Sequence, residues 1–266
     1  MHQSALDKFR VFLDVYLPAH VGRPLSVMDV GSCAIDGADT HRPDVVRRGW
    51  SYVGMDIEPG PNVDLVVSDG YDWTAIADDS LDVVLCSQVL EHTRHPWRLV
   101  QEIARVLRPR GLAFLAAPSA GHVHRYPEDC FRYNPDGLPA LAQAAGLVVI
   151  DANVQRRQVY RSNIWRDAVA VAQKPELAPE QAGRNHARAQ LARLSMREDL
   201  SPGDLAAVDF APRSAEPSSI ATLAPVRDSA FERRDAELAG QRDPLRRALQ
   251  VRSHLSAALK ALTRPV

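Results

Sequence analysis

Apolar positions along the chain recur with two periods. Leu6, Phe9, Phe12, Leu13 and Tyr16 fall at helical spacing over 5–17, and Pro18 stops the pattern, which predicts a leading amphipathic helix. Short apolar runs follow at 26–30, 52–56, 63–67, 81–86, 112–117, 147–150 and 167–172, each with the length and composition of a buried strand. Between them, 97–107 carries Leu99, Val100, Ile103, Val106 and Leu107 on one helical stripe closed by Pro109 and Gly111. A second helical stretch, 135–145, is ended by Gly146. Strands alternating with helices predict an α/β fold: a doubly wound, mostly parallel sheet covered on both faces.

Near Pro175 this texture ends. Residues 175–240 are rich in Ala, Arg, Glu, Pro and Ser, with a linker expected at 210–219 and no strand pattern. Helical spacing returns over 243–262 through Leu245, Leu249, Leu255, Leu259 and Leu262, opposite Arg246, Arg247, Arg252 and Lys260. The expected division is therefore 1–174, a catalytic-type domain with its N-terminal helix, and 175–266, a helical or partly disordered C-terminal extension. Its leucine stripe suits self-packing or a homodimer contact better than a membrane surface.

Composition narrows the class. The chain has 266 residues, 45 % of them hydrophobic, and no run approaches the roughly 20 apolar residues of a membrane span. A formal net charge of −1 argues against a generic nucleic-acid partner, which needs a basic surplus for phosphate. The N-terminus lacks the basic-then-apolar order of a signal peptide. Cys33, Cys86 and Cys130 are scattered without C-x-x-C spacing, so no disulfide framework or thiolate zinc site is expected. Both observations point to a cytoplasmic protein.

In a doubly wound sheet, ligands bind outside the carboxyl ends of the strands, where strand order reverses. The first predicted strand runs into Asp29-Val30-Gly31, the second ends in Asp56, the third is followed by Asp69 and the fourth enters Ser87-Gln88. Gly31 would allow a ligand to approach the backbone, Asp56 could accept from two ribose hydroxyls and Asp69 from an exocyclic amine. Asp29 would favour a cationic ligand end. The spacing Gly31-x5-Gly37 departs from the G-x-G-x-x-G that holds a pyrophosphate, which disfavours a nicotinamide oxidoreductase.

The order D-V-G-S, Y-V-G-M-D-I, S-D-G, L-D-V-V-L-C-S-Q-V-L-E-H and R-V-L-R-P-R-G before L-A-F-L-A-A-P resembles class I S-adenosylmethionine-dependent methyltransferases, of the type 11-like group, over about 25–174. That resemblance implies a Rossmann-like sheet of seven strands, the last antiparallel, and S-adenosyl-L-methionine as cofactor. It places Asp29 and Gly31 at the methionine end, Asp56 at the ribose and Asp69 at the adenine, with Ser32, Ile57 and Gly70 also binding the cofactor and Ser87 and Gln88 between cofactor and substrate. Cys33 stands where a glycine is commoner. A subgroup carries G-S-x-x-x-N-G here with a G-P-N-V-D stretch and an H-R-Y-P-x-D element; this chain has Asp36 in place of Asn, Pro61-Asn62-Val63-Asp64, and His124 to Asp129.

Methyl transfer from a sulfonium needs alignment above all, and a base near the methyl adds a further factor of roughly 10² to 10⁴. The stretch P-S-A-G-H-V-H-R-Y-P-E-D-C-F-R-Y after the fifth strand is dense in polar and aromatic groups. His124 is expected as base or substrate orienter, with His92 and Asp129 as further catalytic candidates and Arg125, Tyr126 and Arg132 shaping the substrate pocket. Asp129 could instead brace the loop through Arg125 or Arg132, and Glu91 could accept from the loop. His92, His95, His122, His124 and Asp129 offer donors for a divalent ion, but H-x-H and H-x-x-H spacing in loops is a weak signal, and no metal is expected. The expected acceptor is a hydroxyl or amine of a small polar molecule, either a sugar, a glycan precursor or a secondary metabolite. The alternative is a catalytically silent cofactor-binding or scaffold module acting through the C-terminal extension.

Overall fold

The structure is a computed structural model that describes residues 2–17, 23–156, 159, 164–195 and 197–242. The helix expected over 243–262 lies outside the described residues. Seven strands, β1 (Ser26–Val30), β2 (Ser51–Asp56), β3 (Leu65–Val66), β4 (Leu81–Ser87), β5 (Leu107–Pro118), β6 (Val148–Val154) and β7 (Asp167–Gln173), form one sheet in the order β3-β2-β1-β4-β5-β7-β6. β7 runs antiparallel between β5 and β6, and the pairs from β3 through β5 are parallel. This is the doubly wound, mostly parallel sheet of the sequence reading. Strand order reverses between β1 and β4.

Alternation along each strand builds two cores. On β5, Ala113, Leu115 and Ala117 face one cluster, and Leu112, Phe114 and Ala116 face the other. The first cluster packs under α3 (Pro96–Val106) and α4 (Gly137–Ala144), through Leu99, Val100, Ile103 and Leu138. The second packs under α1 (Gln3–Tyr16), whose Leu6, Phe9, Phe12, Leu13 and Tyr16 are all buried. A short helix, α2 (Arg42–Val46), adds Val45 to that face. The small side chains Ala168, Ala170 and Ala172 on β7 leave room for close helix approach.

The fifth strand starts five residues before the expected run. Leu107 pairs with Leu81, and the register then shifts before Val83 meets Leu112. The R-P-R-G segment therefore bulges from the edge of the ladder. Arg110 takes a left-handed φ of 66° and donates its N–H to the Lys174 carbonyl, and the Pro109 carbonyl accepts the Ser218 N–H at 2.8 Å.

Residues beyond 174 form α5 (Pro179–Leu194), α6 (Pro202–Ala206) and α7 (Ala230–Arg242). Phe231 of α7 is fully buried in the second core beside Tyr16 and Phe114, and Lys8 of α1 lies 3.0 Å from Asp235 of α7. The expected linker contributes Ser218, whose buried hydroxyl donates to Asp82 at 2.7 Å. The described part of the extension thus completes the cover of the sheet. Its α5 and α7 are weakly amphipathic, which explains why the apolar pattern did not announce them.

Candidate active site

The carboxyl ends of β1, β2 and β4, with the loop after β3, meet at one edge of the sheet. Gly31 adopts φ +68° and donates its N–H to the Met55 carbonyl at 2.8 Å, turning the chain over the end of β2. A Cβ on Gly31 would stand 2.3 Å from Val89 Cγ2, so only glycine fits between the β1 loop and the turn after β4. Ser32 is buried and donates from its hydroxyl to the Asn62 carbonyl at 3.2 Å. Asn62 returns a bond from its amide to the Ser32 carbonyl at 2.8 Å, and Arg42 donates to its side chain at 2.7 Å. The Pro61-Asn62-Val63-Asp64 stretch is therefore the brace of the β1 loop.

Asp56 closes β2. Its Oδ2 accepts the Cys33 N–H at 2.9 Å and its Oδ1 accepts the Ile57 N–H at 2.7 Å. An ionised carboxylate offers about four lone-pair sites, so two remain for a pair of hydroxyls. Cys33 meets Asp56 through its backbone, a contact that any residue at position 33 could make. Ile57 is half exposed beside Asp56, and its methyl lies 3.5 Å from where a Cβ of Gly70 would be. Asp69 is exposed with Oδ1 accepting the Tyr71 N–H at 2.7 Å. Its loop is pinned from below: Trp73 is fully buried, and its N–H donates to Glu102, which Arg105 bridges to Asp78. On β4, Ser87 Oγ is buried without a hydrogen-bond partner, an orphan at the edge where a ligand would lie.

Two of the expected cofactor residues are placed differently. Asp29 is almost fully buried on the α1 side of β1. Its Oδ2 accepts the Tyr52 hydroxyl at 2.6 Å and lies 3.0 Å from His41 Nδ1. Burial and the Asp29 charge push the Tyr52 phenol well above its usual range, so it stays a donor. Through Oδ2, Asp29 thus ties the base of the loop to Tyr52 and His41, since alternation on β1 turns it to the helical side. Gln88, at a left-handed φ of 61°, reaches across the sheet edge: its amide donates to Asp167 at 3.3 Å, and its Oε1 lies 3.0 Å from His2 Nε2.

The acceptor side lies over β4 and β5. A turn at 90–92 follows β4, and the 119–133 loop follows β5. The loop is tied to that turn through the backbone: the Glu91 carbonyl accepts from Cys130 N at 2.6 Å and Phe131 N at 3.2 Å. Glu91 thus accepts from the loop as expected, through its backbone carbonyl. Both carboxylate oxygens are fully buried without partners, and burial raises the group to about 8. Asp129 chelates the Arg132 guanidinium, with the Nη2 to Oδ2 contact at 2.7 Å, and accepts the His124 N–H at 2.8 Å. That pairing, with Arg132, holds the Asp129 carboxyl far below its usual range despite the opposing cost of burial. Of the two braces considered, Arg132 is the one used. Arg125 and Tyr126 are exposed on the loop, and Tyr126 sits edge-on to His92 and His124, with centroids 6.0 and 6.1 Å away.

His92 and His124 are neighbours, ring centroids 4.8 Å apart. His92 Nδ1 is 2.5 Å from the Glu128 carbonyl, which can only accept, so Nδ1 carries a proton, and Nε2 lies 3.6 Å from Glu91 Oε1. Burial, then His92, lowers the His124 imidazole below its ordinary value, leaving it neutral near pH 7. Trp165 packs on His124 at 4.4 Å and on His122 at 4.9 Å. Trp165, Tyr71, His41 and His2 were not singled out in the sequence. No periodic pattern marks them, and only the folded edge brings them to the site.

Known families share part of this edge. A family model described as a methyltransferase domain matches residues 28–115, from β1 through most of β5. Residues 28–115 thus match a methyltransferase domain. Relatives include an uncharacterized methyltransferase of Mycobacterium sp. (strain KMS), 38 % identical over 36 % of this chain and 42 % of that protein. Another, from Mycobacterium ulcerans (strain Agy99), is 48 % identical over 44 % of this chain and 51 % of that protein. The chain spans about half the length of the curated relatives it matches. A solved structure similar in fold is the 1,6-didemethyltoxoflavin-N1-methyltransferase of Burkholderia thailandensis, with bound S-adenosylhomocysteine. It is 20 % identical, at TM-score 0.47, covering 65 % of this chain and 84 % of that one. Within the methyltransferase domain, the matched stretch contains all the strand-end residues, whereas the 119–133 loop lies beyond it.

Proposed function

We propose that this chain transfers a methyl group from S-adenosylmethionine to a hydroxyl or amine of a small polar acceptor. The observation that carries the reading is Asp56. It ends β2 at the strand-order reversal, anchors the β1 loop through Cys33 N–H and keeps acceptor capacity for a ribose. The cofactor supplies an activated methyl, so the protein's task is alignment. Gly31 admits the methionine end, Asp56 with Ile57 the ribose, Asp69 with Gly70 the adenine, and Ser87 offers its unpaired hydroxyl at the boundary. Asp29 acts as a positioning residue, through Tyr52 and His41.

On the acceptor side, Asp129 and Arg132 brace the loop so that His124 faces His92. The neutral His124 ring orients the acceptor and directs removal of its proton. Arg125 and Tyr126 on the outer loop suit a hydroxyl-rich or anionic acceptor such as a sugar or glycan precursor. The described part of the C-terminal extension serves as cover for the sheet. Among the described residues no helix is long and apolar enough to cross a membrane.

Calorimetric titration tests the reading. S-adenosylmethionine should bind the intact chain and NADH should not. Asp56→Ala should abolish cofactor binding, whereas His124→Ala should retain it and slow turnover by about 10² or more. Binding of NADH alone, or of neither, refutes the proposal.

A further inference from the structure

The geometry points to a divalent transition-metal site formed by Glu91, His92 and His124, at the junction of the turn after β4 and the loop after β5. One ligand atom from each lies within 4.8 Å of the others, and Glu91 Oε1 is already 3.6 Å from His92 Nε2. Around an ion bound at about 2.0–2.2 Å, neighbouring ligand atoms stand roughly 3–3.5 Å apart, so the three need to close by about 1 Å.

Three independent features favour an ion there. First, Glu91 is completely buried, yet both its oxygens lack hydrogen-bond partners; a buried carboxylate without partners is costly unless something cationic meets it. Second, His92 commits Nδ1–H to the Glu128 carbonyl, which leaves Nε2 as the donor toward Glu91. A backbone carbonyl behind a histidine is the usual outer support of a metal ligand. Third, the His124 ring is held between His92 and Trp165, which keeps one of its nitrogens within ligand range of Glu91 and His92. Asp129, 3.4 Å from His124 Nδ1 and fixed by Arg132, supports the ring from behind.

Two imidazoles and one carboxylate form a donor set suited to Zn²⁺, Fe²⁺, Mn²⁺ or Co²⁺ with open positions, and unlike the oxygen-only sets of Mg²⁺ and Ca²⁺. The sequence hid this trio, since its candidate donors were the spaced histidines and Asp129. Glu91 enters only because the turn after β4 directs it inward. The ion's remaining positions would take water or, where the methyl-transfer reading holds, an acceptor oxygen. The site itself does not depend on that reading.

The test uses the untagged full chain, stripped with a chelator and titrated with Co²⁺ and Zn²⁺. Ligand-field absorption and bound-metal analysis report the stoichiometry. About one equivalent should bind. Glu91→Gln and His124→Ala should each weaken binding more than about 10-fold, while His122→Ala, on the same loop, should leave it unchanged. Circular dichroism checks that each variant folds. No binding to the wild type, binding unaltered in the folded Glu91 and His124 variants, or equal loss in His122→Ala overturns the proposal. S-adenosylmethionine binding, measured separately on the stripped chain, distinguishes failure of this site from failure of the cofactor reading.

Discussion

Gly31→Ala should cost both stability and cofactor binding, for two separable reasons. The residue sits at φ +68°, where an L side chain costs about 1–2 kcal/mol relative to glycine. Its new Cβ would also stand 2.3 Å from Val89 Cγ2, when a relaxed carbon contact is about 3.5–4 Å. Val89 must then retreat by about 1.2 Å or change rotamer. It is only partly buried, so this overpacking belongs in the range of about 1–3 kcal/mol. The sum, about 2–5 kcal/mol, is a large part of ordinary domain stability. Val89→Ala removes the colliding methyl but leaves the backbone cost. In a double-mutant cycle read by urea unfolding, the double variant should recover about 1–3 kcal/mol over additivity, and cofactor affinity should remain impaired. A coupling below about 0.5 kcal/mol would refute the claim that the β1 loop and the turn after β4 meet through this contact.

The other predictions concern the framework. Burial opposes ionisation of Asp82, but bonds from Ser26 N, the Ser218 and Ser26 hydroxyls and Arg23 outweigh it and depress its pKa. Its stabilising contribution is therefore present above the unfolded carboxylate value near 4 and disappears as pH falls through the lower folded value. Urea midpoints measured from about pH 5 downward should fall steeply in the wild type and more gently in Asp82→Asn, and parallel slopes would contradict this. Phe231→Ala should destabilise the whole domain by about 3–5 kcal/mol, since the ring is fully buried under α1 and β5; a loss under about 1 kcal/mol would show that α7 does not complete the core. Tyr52→Phe should weaken cofactor binding without contact, by freeing Asp29 and His41 beneath the loop, and unchanged affinity would remove that positioning role.

Much of this molecule was legible in one dimension. The apolar run at 26–30 is β1 residue for residue, because a strand buried on both faces leaves a continuous apolar signature ending at the first polar turn. The acids at 56 and 69 could be placed for the same reason, since strand ends are visible and the doubly wound topology aligns them. Sequence could not say which way an acid points. Asp29 precedes Gly31 as the pattern required, but alternation turns it onto Tyr52 and His41. The strand at Leu107 was missed because Pro109 and Gly111 read as a break, and only pairing with Leu81 shows the bulge that accommodates them.

The strands, the helices between them and the acids and glycine at the strand ends were thus set by local periodicity and the residues at its boundaries, which act over a few positions, whereas the class of chemistry was implied by a resemblance of motifs. The burial of Glu91 beside two histidines and the closing of the sheet by Phe231 and Ser218 were decided only by the tertiary structure. Apart from the adjacent Glu91 and His92, these contacts join residues far apart in the chain, and local periodicity carries no record of which distant group will fill a space.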